Sequence, residues 1–141
     1  MYAPDADPIA CVAAVRGRLA ASSVPPELDD LVAMISTSRA EPSVAVRVHG
    51  SSDPSNILLA DDGTVTLLDW EASRLGPPAI DRASITFGLL VRDRPDLAEQ
   101  VMAGSVGVAG FLVLRLLYLH SNGALRPKVL RVARDLLHDF E

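Results

Sequence analysis

The sequence predicts a mainly α-helical domain carrying one small antiparallel β-hairpin. Three observations lead there. Helix-start signals recur along the chain, with Pro8, Pro26, Pro78 and Pro127 each standing at the head of a segment of helical pattern. Between 44 and 69 alone the pattern shifts to short β-branched runs, and "NILLA" and "TVTLLD" there flank Asp61-Asp62-Gly63, a hairpin signal. The longest apolar run, residues 101–114, is Gly-containing and too short for a bilayer span of about 20 residues, so it reads as part of a buried core.

The elements follow in order. Residues 7–20 form a helix with Asp7 as N-cap and Pro8 in its first turn, and "SSVPP" ends it. A second helix covers 26–38, with acids in its first turn. A short strand is expected at 44–48, then the hairpin strands at 56–60 and 64–69, then a loop over 70–77. Helices are expected at 78–91, 95–105, 107–121 and 126–139, with Asn122-Gly123 stopping the third of these and Pro127 restarting the chain. No repeat, linker or second domain is visible, so residues 1–141 read as one domain.

Composition narrows the function. Hydrophobic residues make up 49% of the 141 and aromatics only 4%, so the core is built from Ala, Val, Leu and Ile. A net charge of −5 with interspersed signs lacks the basic stripe of a nucleic-acid surface. Nucleic acid and membrane are therefore not expected as partners. One cysteine, Cys11, forms no internal disulfide framework and fits a reducing cytoplasm, and no basic stretch precedes the first apolar residues as in a secretory signal.

The chemistry concentrates in "VHGSSDPSNILL", residues 48–59, and the "LLDW" that follows. In an antiparallel pair Asn56, opening the first strand, and Asp69, closing the second, share one end. An amide oxygen and a carboxylate there are hard ligands suited to Mg²⁺ carrying a nucleotide phosphate. The same residue types also satisfy turn amides with no ligand at all. Residues alone leave both readings open.

Residues 49–84, "HGSSDPSNILLADDGTVTLLDWEASRLGPPAIDRAS", resemble the catalytic core of the aminoglycoside phosphotransferase and choline-kinase-like family. That family's pattern is H-G-D-x-x-P-x-N, a hairpin, I-D-W/F-E, and then G-x-P-x-x-D-L-A. His49, Gly50, Pro54 and Asn56 match the first element, Asp69, Trp70 and Glu71 the second, and Gly76, Pro78 and Asp81 the third. The resemblance implies a kinase-like C-terminal lobe and phosphoryl transfer from ATP to a small-molecule hydroxyl. It implies Asn56 and Asp69 as Mg²⁺ ligands, His49 packing the loop beneath the site, Asp81 bracing the loop backbone, and Trp70 packing behind Asp69.

Two departures stand out. Ser51 occupies the position of the family's catalytic aspartate, which takes or orients the proton of the attacking hydroxyl. Asp53, two residues on, is the available substitute, so Ser51, Asp53 and His49 are the candidate catalytic residues. The family's N-terminal lobe, with its phosphate-pairing lysine, has no counterpart among these residues, whose sole lysine is Lys128. Arg16, Arg18 and Arg39 read as solvated helix faces.

Three functions follow as expectations. The first is a small-molecule-binding, pseudokinase-like module with little or no transfer. The second is an active ATP/Mg²⁺ phosphotransferase completed by another chain or by dimerisation. The third is a lobe reused for different small-molecule chemistry, with Ser51, Asp53, His49 and Asp69 in new roles. The apolar face of the first helix, with Ile9, Val12 and Val15, has to be buried, either by folding back over the vacant cleft or against a second copy, and the homodimer is the favoured expectation.

Overall fold

The structure is a computed structural model that describes residues 6–41 and 44–138. Six helices are present among them: α1 (Pro8–Arg18), α2 (Pro26–Ser36), α3 (Ala79–Val91), α4 (Pro95–Met102), α5 (Val106–Ser121) and α6 (Pro127–Leu137). Local chemistry accounts for several of their ends. The Asp7 carboxylate accepts the Ile9 N–H and so caps α1. Ala103, in the left-handed region, and Gly104 turn the chain after α4, which therefore stops short of the expected residue 105. Ser105 then caps α5 by accepting the Val108 N–H. The last expected helix is present as α6, and residue 139 lies outside the described residues.

The core is organised around α5. Gly107 through Leu114, Leu116 and Leu117 are all buried, the pattern of a helix covered on nearly every side. α1, α2 and α3 pack directly against it. They contribute Val12 and Val15, then Leu28 and Ile35, then Ile80 and Ala83. Gly110 permits the close approach of α1, because a Cβ there would run into the Pro8 ring. The stripe of α1 expected to seek a second copy is thus satisfied within the chain. Arg16 is likewise no solvated cation, since its guanidinium pairs with Asp29 and ties α1 to α2.

The strands are short. β1 (Val46–Val48) pairs antiparallel with Arg74–Gly76, and β2 (Ile57–Leu59) pairs antiparallel with β3 (Val65–Leu67) in the register Ile57↔Leu67. The hairpin turn is closed by Gly63 at φ +87° and by Asp62, which accepts the Thr64 N–H. Two expectations are corrected here. Residues 74–76, read as loop, form a strand, β4, because the chain returning from the hairpin lies along β1 and takes up its backbone hydrogen bonds. Asn56 does not open the first hairpin strand; it closes a one-turn 3₁₀ helix, Pro54–Asn56, and pairing starts at Ile57. Among the described residues no helix is long and apolar enough to cross a membrane.

Candidate active site

The loop that follows β1 is held from below by one carboxylate. Asp81, in the first turn of α3, accepts the His49 N–H at 2.8 Å on Oδ2. On Oδ1 it accepts the Gly50 N–H at 2.9 Å and the Ser52 hydroxyl at 2.8 Å. Three donors from consecutive parts of the loop therefore converge on one side chain 29 to 32 residues away. A buried amide left without such a partner would cost about 1–3 kcal/mol, so this arrangement fixes the path of the loop.

His49 is 2% exposed and both ring nitrogens are engaged. Nε2 lies 2.7 Å from the Leu68 carbonyl, and Nδ1 accepts the Ser51 N–H at 3.2 Å. A carbonyl can only accept, so the proton sits on Nε2. The ring meets Trp70 edge-on at 4.6 Å between centroids. His49 thereby couples the loop to the outgoing strand of the hairpin. Trp70 donates Nε1–H to the Leu67 carbonyl and remains half exposed. Gly50 has φ +85°, and a Cβ there would collide with the Ala72 carbonyl, so no other residue follows His49 without moving β4's approach.

Ser51 sits half-buried at the rim of the loop. Asn56 donates Nδ2–H to the Ser51 carbonyl at 2.8 Å and lies 3.4 Å from the Ser51 hydroxyl. That spends the amide nitrogen and leaves Oδ1 as the group able to accept a ligand. Leu68 donates its N–H to the Asn56 carbonyl at 2.8 Å, and Asp69 follows it with φ +60°. Asn56 and Asp69 therefore lie at the same open end of the hairpin. Asp69 is exposed and takes a backbone conformation that Asp tolerates better than most residues.

Asp53 has partners of its own. Its carboxylate accepts the Ser55 N–H, capping the 3₁₀ turn, and pairs with Arg92 at 3.1 Å. Arg92 also donates to the Gly88 carbonyl at 2.9 Å, which binds the pair to α3. Gly88 makes room for this, because a Cβ at 88 would overlap Pro54 and the Asp53 carboxylate. Partial burial opposes ionisation of Asp53, but hydrogen bonds from Ser55 and Arg92 outweigh it, and the carboxyl is held below the usual carboxylate range.

Ser52, Gly88 and Arg92 escaped the sequence reading. Ser52 carries no periodic or motif signal, and the two helical residues act only through a contact some 35 residues distant in the chain, of which the sole trace is an unexpected Gly inside an apolar helix.

A family model described as the phosphotransferase enzyme family matches residues 5–117. The chain belongs to that family. Among curated proteins, and among solved structures, none matches.

Phosphoryl transfer of this class generally uses Mg²⁺ and ATP. The donor set fits the metal. Asn56 Oδ1 and the Asp69 carboxylate are both hard oxygens. Among the described residues no cluster of three or more His, Cys, Asp or Glu side chains forms a metal cage. An ion held at the hairpin would accordingly draw most of its ligands from phosphates and water, the usual habit of Mg²⁺. When bound, it would neutralise charge on the phosphates.

Proposed function

We propose that this phosphotransferase-family chain supplies a C-terminal-lobe module that binds a small-molecule ligand, retains a Mg²⁺-nucleotide end at Asn56 and Asp69, and transfers phosphate slowly or not at all. One observation carries the reading: the loop presents no free carboxylate to an attacking hydroxyl. Ser51 stands directly after His49-Gly50, and a serine hydroxyl is neither charged nor a useful base near neutral pH. His49 has no free ring nitrogen, and Asp53 is committed to Arg92 and Ser55. Proton transfer by a positioned base is typically worth about 10²–10⁴-fold in rate, which is the deficit expected here.

A partner is part of the proposal. Leu58, Leu59, Val65, Leu68 and Trp70 are 40–73% exposed on the hairpin and the segment after it. Such a cluster favours coverage by a second copy or by a further lobe.

The test replaces Ser51 with Asp and follows phosphate transfer from Mg²⁺-ATP to a panel of small-molecule alcohols. The unaltered chain should run near background, and Ser51→Asp should raise the rate about 10²-fold or more. Rapid turnover by the unaltered chain would overturn the weak-transfer reading. A silent Ser51→Asp protein, together with calorimetry showing no Mg²⁺-nucleotide binding, would overturn the nucleotide reading.

A further inference from the structure

A second feature lies on the other side of the loop, between α3 and α5. A cavity of about 220 Å³ opens there, reaching Gly50 at one end and lined by Ser84 on α3 and Arg115, Tyr118 and Asn122 at the C-terminal end of α5. Its floor is apolar, with Phe111 and Leu119.

Three observations say what it suits. Ser84 is 92% buried, and its hydroxyl has no hydrogen-bond partner among the described residues. The hydroxyl is not sealed off but opens on the cavity, where a ligand group can accept its hydrogen bond. Arg115 is exposed at the mouth, with its guanidinium 4.5 Å from the centroid of the Phe87 ring, and no carboxylate among the described residues pairs with it. Finally, no residue lining the cavity is acidic, and Arg74 lines it as well, although the chain as a whole carries a net charge of −5. The cavity is thus a positive, hydrogen-bonding mouth over an apolar floor.

We propose that this cavity binds a small organic carboxylate with an apolar body. The carboxylate accepts hydrogen bonds from the Arg115 guanidinium and the Ser84 hydroxyl, and the body rests on Phe111 and Leu119. Arginine is the side chain whose planar donor pair matches a carboxylate. The volume suits a metabolite, being smaller than the roughly 300–1,000 Å³ typical of drug-sized ligands. The inference stands on the cavity and is independent of whether the neighbouring loop transfers phosphate.

The test uses phenylacetate and its uncharged analogue phenylacetamide, titrated into the whole chain and followed by backbone-amide NMR. Phenylacetate should bind saturably, with shifts centred on Ser84, Arg115, Tyr118 and Asn122, and phenylacetamide should bind at least about tenfold more weakly. Arg115→Gln, an exposed position, should weaken phenylacetate by at least about tenfold, with Arg115→Lys losing less. Ser84→Ala, which removes only the unpartnered hydroxyl, should weaken it by a few-fold. Absence of saturable binding, equal affinity for the amide, or an Arg115→Gln protein that binds unchanged would each overturn the proposal.

Discussion

The brace at Asp81 makes a quantitative claim about the loop. Asp81→Ala removes the acceptor of three hydrogen bonds and leaves the His49 and Gly50 amides facing an apolar methyl. Hydrogen bonds to a charged group are worth about 1.5–3 kcal/mol each, so a simple sum would exceed 4 kcal/mol. The three share one acceptor, however, and Asp81 is only partly buried, so water and loop relaxation recover part of the loss. The expected cost is about 3 kcal/mol, a large share of the 5–15 kcal/mol that holds a domain of this kind together. Asp81→Asn keeps one acceptor and turns an NH₂ toward a donor, and should cost about 2 kcal/mol. Urea denaturation reads this directly: with a slope of about 2 kcal/mol/M, the midpoint should fall by about 1.5 M for Ala and about 1 M for Asn, with the slope unchanged. Hydrogen exchange at the Gly50 amide should accelerate in both. A loss below about 1 kcal/mol for Asp81→Ala, with Gly50 protection intact, would show that the loop is held by something other than this carboxylate.

Four further predictions follow from other contacts. Gly88→Ala should destabilise the chain by about 1–3 kcal/mol by pushing Pro54 and Asp53 off α3, and denaturation showing no loss would mean that the turn is not seated as described. The carboxyls of Asp29, held by the Arg16 hydrogen bond, and of Asp53 lie below their ordinary range in the folded chain, so the stability they contribute is fully present above that range and is lost as pH falls through their folded values. Arg92→Gln should move the Asp53 titration back toward ordinary aspartate when followed by carboxyl-carbon NMR, and an unmoved titration would refute the ion pair's role. Light scattering after gel filtration should report a dimer that Leu59→Lys dissociates, whereas a mass fixed near 15.0 kDa at all concentrations would remove the hairpin face as a contact between copies.

By itself the sequence determined what depends on neighbouring residues. Proline and capping residues set helix starts within a residue or two at Pro8, Pro26 and Pro127, because the first turn of a helix is a local hydrogen-bonding problem. Asp61-Asp62-Gly63 set the hairpin because the turn's backbone geometry selects its own residues. The ordered motifs from His49 to Asp81 pointed to the phosphotransferase family, whose model spans most of the chain. Tertiary structure decided everything that rests on long-range proximity. The segment Arg74–Gly76 has no strand pattern and becomes a strand only because β1, 26 to 30 residues earlier, offers it a ladder. The sequence offers Asp53 as a replacement base, but that its carboxylate pairs with Arg92, at the C-terminal end of α3, is visible only in three dimensions. The apolar stripe of α1 looked unpartnered in one dimension and is covered by α5 in three. Ser84 and Arg115 share no motif at all, and their juxtaposition at one cavity exists only because α3 crosses α5, since the packing of two helices brings together side chains that no sequence spacing relates.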